Sequence, residues 1–160
     1  MRNPTTDNSF SAPELNLPDS GIKAVRTEGG FFIYDSFRKK NVVCTPEEWV
    51  RQNFLLWLVN HLGYPKGLIA LEANIKYNKL QKRADAVVYD RLGNARMIIE
   101  CKSANIILSQ DTFIQAASYN SGFKCQYMVI TNGLNHFCCK IDSEGQLFTF
   151  MDQIPHYSEL

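Results

Sequence analysis

Two strand-length runs on either side of a glycine-containing turn constrain this chain more than any other feature. Residues 83–90 read RADAVVYD, residues 91–94 read RLGN and residues 95–102 read ARMIIECK. A turn carrying Gly93 between two apolar runs predicts an antiparallel hairpin. Residues 109–122 (SQDTFIQAASYNSG) then predict a helix, with Ser109 as N-cap and Gly122 as its stop. Residues 125–133 (CQYMVITNG) predict a buried strand ending in a turn. Strand, helix and strand make a crossover, so the strands at 95–102 and 125–133 are expected to run parallel.

The remaining elements fit around that unit. Residues 45–63 (TPEEWVRQNFLLWLVNHLG) carry the signature of a long helix. Thr45 is a good N-cap, Pro46 suits the first helical position, and Glu48 stands where a capping box wants an acid. Trp49, Val50, Phe54, Leu55, Trp57, Leu58 and Leu62 form a wide apolar stripe, and Gly63 closes the helix. Strands are predicted at 29–37, 68–77, 136–142 and 145–151, the last two as a closing hairpin, with a polar turn region over NKLQK. The order predicts a mixed α/β domain, a sheet flanked by helices. Residues 1–28 read as an N-terminal arm containing three prolines, and residues 29–160 as one domain.

Composition narrows the function classes. The chain has 160 residues, 45% of them apolar, which is enough for a core without staples. With 17 basic against 16 acidic residues, net charge alone predicts no nucleic-acid partner, so any such binding needs a local basic patch. The five cysteines, Cys44, Cys101, Cys125, Cys138 and Cys139, show no C-x-x-C and read as reduced thiols. His61, His136 and His156 have no metal-binding spacing. No signal peptide and no run of about 18 apolar residues is present, so the expectation is a cytoplasmic protein without a membrane span.

The chemistry sits at the end of the hairpin. Alternation puts Ile98, Glu100 and Lys102 on one face of their strand and Met97, Ile99 and Cys101 on the other. A turn centred on Leu92 and Gly93 sets Asp85 directly opposite Glu100. Two opposed carboxylates repel. A hard divalent cation between them removes the penalty, and Mg²⁺ commonly takes one or two carboxylates with water and substrate phosphate. The Cys101 carbonyl could add a ligand. Lys102 could then orient the attacking water and stabilise developing negative charge at a phosphate. Cys101 itself, aimed into the opposite layer, reads as a buried, inert thiol.

The pattern Asp85-x14-Glu100-x-Lys102 resembles the catalytic motif of the PD-(D/E)xK nuclease superfamily. TPEEWVRQ, GYP, KRADAVVYD, IIECKS, QAASYN and ITNG, in that order, are similar to the nuclease domain at the N-terminus of type I restriction enzyme R subunits. The resemblance implies a mixed four-stranded core with flanking helices, a restriction-endonuclease-like fold, and Mg²⁺-dependent phosphodiester hydrolysis with Mn²⁺ as a substitute. It implies Asp85 and Glu100 as metal ligands, Lys102 as the catalytic lysine, and Glu48, with Glu47 as rival, as the acid from the first helix. Gln115 and Tyr119 match a Q-x-x-x-Y motif, Gln115 helping to position the site and Tyr119 contacting DNA.

Arg38, Lys39 and Lys40, with Lys76, Lys79, Lys82 and Arg83, could be solvated faces or the patch that binds DNA phosphates. Asp85 could instead pair with Arg83, Glu100 with Lys102, and Glu48 could be only a helix N-terminal charge. Gln115 and Tyr119 could simply face solvent. No G-x-x-x-x-G-K-[ST] occurs, so there is no ATP site and the expectation is a free-standing nuclease-like domain. Expected partners are DNA, other restriction or helicase subunits, and possible self-association as a homodimer. The rival reading is a binding or interaction module with a nuclease fold that cleaves only with a partner or not at all.

Overall fold

The helix predicted from Thr45 forms as α1, Pro46–His61, in the computed structural model, which describes residues 11–77 and 80–160, with side chains except at 75–82 and 119–123. Thr45 Oγ1 accepts the Glu48 amide at 3.0 Å, satisfying a donor that the helix start would otherwise orphan. The helix stops where the Leu62 amide donates to the Leu58 carbonyl and Gly63 turns away with φ of 72°. Val50, Phe54, Leu55 and Leu58 are completely buried on the sheet-facing side. Each such side chain contributes roughly 1.5–3 kcal/mol by leaving water.

The main sheet has six strands in sequence order: β4 (Ile69–Tyr77), β5 (Leu80–Tyr89), β6 (Ala95–Cys101), β7 (Tyr127–Thr131), β8 (His136–Ile141) and β9 (Phe148–Met151). Neighbours are antiparallel except β6 and β7, which are parallel and joined through α2 (Gln110–Phe123). The sheet is mixed, as expected, and among the described residues it extends the four-stranded core to six strands. A separate antiparallel sheet holds β1 (Val25–Thr27), β2 (Gly30–Asp35) and β3 (Lys40–Val43). The sequence reading had β2 and missed β1 and β3, which are short and mostly exposed. Of the predicted turn region NKLQK, residues 80–82 belong to β5, and residues 78 and 79 lie outside the described residues.

The alternation predicted for β6 separates two cores. Met97, Ile99 and Cys101 pack with α1, whereas Ile98 packs with Phe113 and Ala116 of α2. The central strands are covered on both faces, which is why they read as continuous apolar runs. The first described residues lie along this body. The Trp49 indole donates to the Pro13 carbonyl at 3.1 Å, and the Asn16 amide donates to the Gly133 carbonyl at 2.8 Å. Gly133 has φ of 82°, a left-handed conformation that favours glycine.

Candidate active site

The hairpin delivers its two carboxylates to one place. Ala86 pairs with Ile99, Val87 with Ile98 and Val88 with Met97, so Asp85 and Glu100 occupy the next position on each strand. A bulge between Val88 and Tyr89 lies nearer the turn and leaves this register intact. Asp85 is fixed at both oxygens. Oδ2 accepts the Cys101 amide at 2.7 Å, and Oδ1 accepts Arg51 Nη2 at 3.0 Å. Glu100 is 7% exposed, and its Oε1 is buried without a hydrogen-bond partner. Burial first, then the charge of Asp85 and a hydrogen bond to it, push the Glu100 carboxyl up to about 8, while Lys102 pulls it down. Near neutral pH the Glu100 carboxyl therefore tends to keep its proton.

Glu47 belongs to the same cluster. Burial and the Asp85 charge raise its carboxyl, and Arg51 and Lys102 oppose them. Glu48 reaches the pair through Arg51. Its Oε1 accepts Gln52 Nε2 at 2.7 Å, and its Oε2 accepts Arg51 Nη1 at 2.8 Å. Of the two acids weighed for the first helix, Glu47 is the one whose charge acts on both Glu100 and Asp85. Adjacent helix positions point about 100° apart, and sequence alone did not give that azimuth.

Two residues absent from the sequence reading complete the site. Arg51, 6% exposed, links Glu48 to Asp85. It lies one helical turn beyond Glu47 and Glu48, a spacing that could have flagged it. Glu72 lies between the paired positions Leu71–Ala86 and Ala73–Ala84, and thus beside Asp85 on the neighbouring strand. Centring the turn on the predicted NKLQK would have set Ile75 rather than Glu72 opposite Asp85, so the sequence alone did not find it. Glu72 has φ of 51°, a left-handed conformation rare for a non-glycine residue and costing on the order of 1 kcal/mol or more.

The other predicted residues are placed as follows. The Cys101 thiol is fully buried in the α1-side core and pushed well above its ordinary range, chiefly by burial. Its backbone amide donates to Asp85. Arg83 is exposed and pairs with Glu72, not Asp85. Lys39 and Lys40 are exposed around the β2–β3 turn. Their neighbour Arg38 turns inward, 3.2 Å from Asp35 and 3.7 Å from Glu48. Gln115 is exposed on α2, its carbonyl accepting the Ser118 hydroxyl. The side chains of Tyr119, Lys76 and Lys82, and all of Lys79, lie outside the described residues. All five cysteines are buried.

A magnesium ion fits this chemistry in a limited way. Among the described residues no set of three or more His, Cys, Asp or Glu side chains is arranged as a metal cage. Mg²⁺ does not require one, since it is usually held by one or two carboxylates with water and substrate phosphates completing the octahedron. Asp85 with the unpartnered Glu100 Oε1 is such a donor set, and Glu47 is the acid within its electrostatic reach.

The motif after the site holds it in place. The Lys102 amide donates to the Thr131 carbonyl at 2.8 Å, and Asn132 Nδ2 donates to the Ile106 carbonyl at 2.8 Å. The ITNG turn thus anchors both the end of β6 and the loop that follows Lys102. Among the described residues, no helix is long and apolar enough to cross a membrane.

The chain is similar to known proteins in two ways. Residues 46–155 match the family model described as type I restriction enzyme R protein N terminus. A solved fragment assigned to an HsdR subunit of a type I restriction enzyme from Vibrio vulnificus superposes with a TM-score of 0.53 at 20% sequence identity. That match covers 71% of this chain and 24% of the other, so the chain spans about a quarter of that structure's length. A search of curated proteins finds no significant match. The family match takes in both α1 and the Asp85–Glu100–Lys102 hairpin, and the chain belongs to the type I restriction enzyme R protein N-terminal family.

Proposed function

We propose that this domain is a Mg²⁺-dependent DNA endonuclease of the PD-(D/E)xK type, acting in the cytoplasm alongside other restriction subunits. The observation that carries the reading is the buried, unpartnered Glu100 oxygen beside Asp85, with Lys102 on the same strand face. Asp85 and Glu100 would hold the ion, which when bound supplies charge neutralisation at a phosphate and lowers the pKa of coordinated water. The Cys101 amide and Arg51 fix the Asp85 carboxylate in one orientation. Lys102 orients the water and stabilises the negative charge that develops as water adds to phosphorus. The P–O bond to the leaving sugar oxygen breaks, and that oxygen takes up a proton. Glu47, and Gln115 and Tyr119 on α2, are candidates for further positioning contacts, and exposed Lys39, Lys40 and Arg83 for phosphate contacts.

The test is cleavage of plasmid and single-stranded DNA with Mg²⁺ or Mn²⁺. Wild type is expected to cut, while Asp85→Asn and Lys102→Ala each lower the rate by about 10²–10⁴-fold. Absent cleavage under all conditions, or cleavage indifferent to both substitutions, overturns the reading. A second reading is favoured by Arg51, which already neutralises Asp85 without a metal. On it the domain binds DNA and cleaves only with a partner subunit. Salt-dependent DNA binding without cleavage would select that reading.

A further inference from the structure

Three guanidiniums converge on one carboxylate oxygen beside the acidic pair. Arg38 Nη2 is 3.3 Å from Glu72 Oε1, Arg51 Nη1 is 3.8 Å from it, and Arg83 Nη2 pairs with the same atom. A single carboxylate oxygen is a poor match for three forked donors, since guanidinium groups favour oxyanions that present several acceptor atoms. The mismatch is visible in the bonding. Arg38 Nη2 and Arg51 Nε are buried without a well-formed hydrogen bond, while Arg38 Nε is paired with Asp35 Oδ2 at 3.2 Å. Buried donors are ordinarily satisfied, so such a set needs an explanation. Glu72 itself is held in a left-handed conformation inside a strand, a strain of the kind that persists where surroundings impose it.

We propose that Arg38, Arg51 and Arg83 form a subsite for a DNA backbone phosphate, and that Glu72 occupies this seat until nucleic acid displaces it. The proposal rests on the nuclease reading above and adds a binding contact to it. A phosphodiester carries the same single charge as the carboxylate it replaces, so the exchange leaves the buried arginines neutralised. It also brings two non-bridging oxygens, which suit the unsatisfied donors. The Glu72 side chain is 38% exposed, so it can leave for water without crossing the core. Arg51 also bonds Asp85, which places the phosphate immediately next to the Asp85–Glu100 pair. The exposed Lys39 and Lys40 adjoin Arg38 on the same turn and would extend the basic track along the strand.

The test is binding of a labelled DNA duplex in chelator-containing buffer, followed by fluorescence anisotropy across a salt series. Glu72→Gln is expected to bind about five- to tenfold tighter at low salt, with a log K versus log salt slope steeper by about 1. Arg83→Gln is expected to weaken binding and flatten the slope by about 1, and the double variant to return toward wild type. A folded Glu72→Gln protein that binds no tighter than wild type overturns the subsite. Should that variant fail to fold, Arg83→Gln decides: unchanged affinity and slope overturn the proposal. Inorganic phosphate that blocks DNA at micromolar concentration would assign the seat to a free anion and overturn it also. DNA binding that ignores Glu72 and Arg83 leaves the cleavage reading standing, whereas no DNA binding by any form overturns both.

Discussion

The N-terminal half of α1 buries Glu48, Arg51 and Gln52, and the C-terminal half buries Phe54, Leu55 and Leu58. The depth of burial is similar and the chemistry is opposite. The apolar half is held by removal of surface from water and by ring packing, with Trp57 stacked on His136 at a centroid distance of 5.7 Å. The polar half is held by matched charges, each of which costs several kcal/mol to bury and recovers that cost only through a partner. A helix serving stability alone has no need of the second arrangement. The charged half lies against the Asp85–Glu100 pair, through the Arg51–Asp85 contact.

Phe54→Ala tests the apolar half. It is expected to cost about 3–5 kcal/mol of stability in urea denaturation, because a large cavity opens under a completely buried ring. A loss under about 1 kcal/mol would show that the ring is not a core element. Arg51→Met tests the charged half and is expected to cost roughly 3 kcal/mol, since Glu48 and Asp85 lose a buried partner. The effect is the smaller because Arg38 remains 3.7 Å from Glu48. Adding Glu48→Leu to Arg51→Met is expected to recover part of the loss, which would show that pairing rather than packing holds this half. A double variant no more stable than the single would argue for packing.

Further effects should appear in the pH dependence of the metal-free protein, with opposite signs at the two ends. The Glu100 carboxyl is raised from 4.5 to about 8, so its contribution is fully present at acid pH and is lost as pH rises through about 8. Burial lowers the His136 imidazole below 6.5, so its contribution is present above that value and is lost as pH falls through the depressed pKa. Glu100→Gln should flatten the alkaline limb of a Tm-versus-pH curve, and His136→Phe the acid limb. Limbs unchanged by these substitutions would detach the two groups from the effect.

Much of this was legible because local signals agreed. Thr45, Pro46 and Gly63 bounded α1, and the turn at Gly93 fixed which residues of β5 and β6 oppose each other. Proximity of Asp85 to Glu100 followed from that register alone. The three residues of β1 and the run Lys40–Val43 carry neither alternation nor an apolar face, so they gave no signal. Where Glu47 and Glu48 each point depends on the rotation of α1 about its axis, which is set by tertiary packing. Arg51 was hidden because its helix was read for its apolar stripe. Glu72 was hidden because a second hairpin register had to be laid beside the first.

The central claim is that Asp85 and Glu100 jointly take up a divalent cation, and calorimetric titration with Mn²⁺ tests it most directly. The account predicts uptake of a single ion by wild type, with release of a proton from the Glu100–Asp85 pair near neutral pH, and loss of uptake in both Asp85→Asn and Glu100→Gln. Uptake that survives both substitutions, or no uptake by the folded wild-type protein, would contradict it.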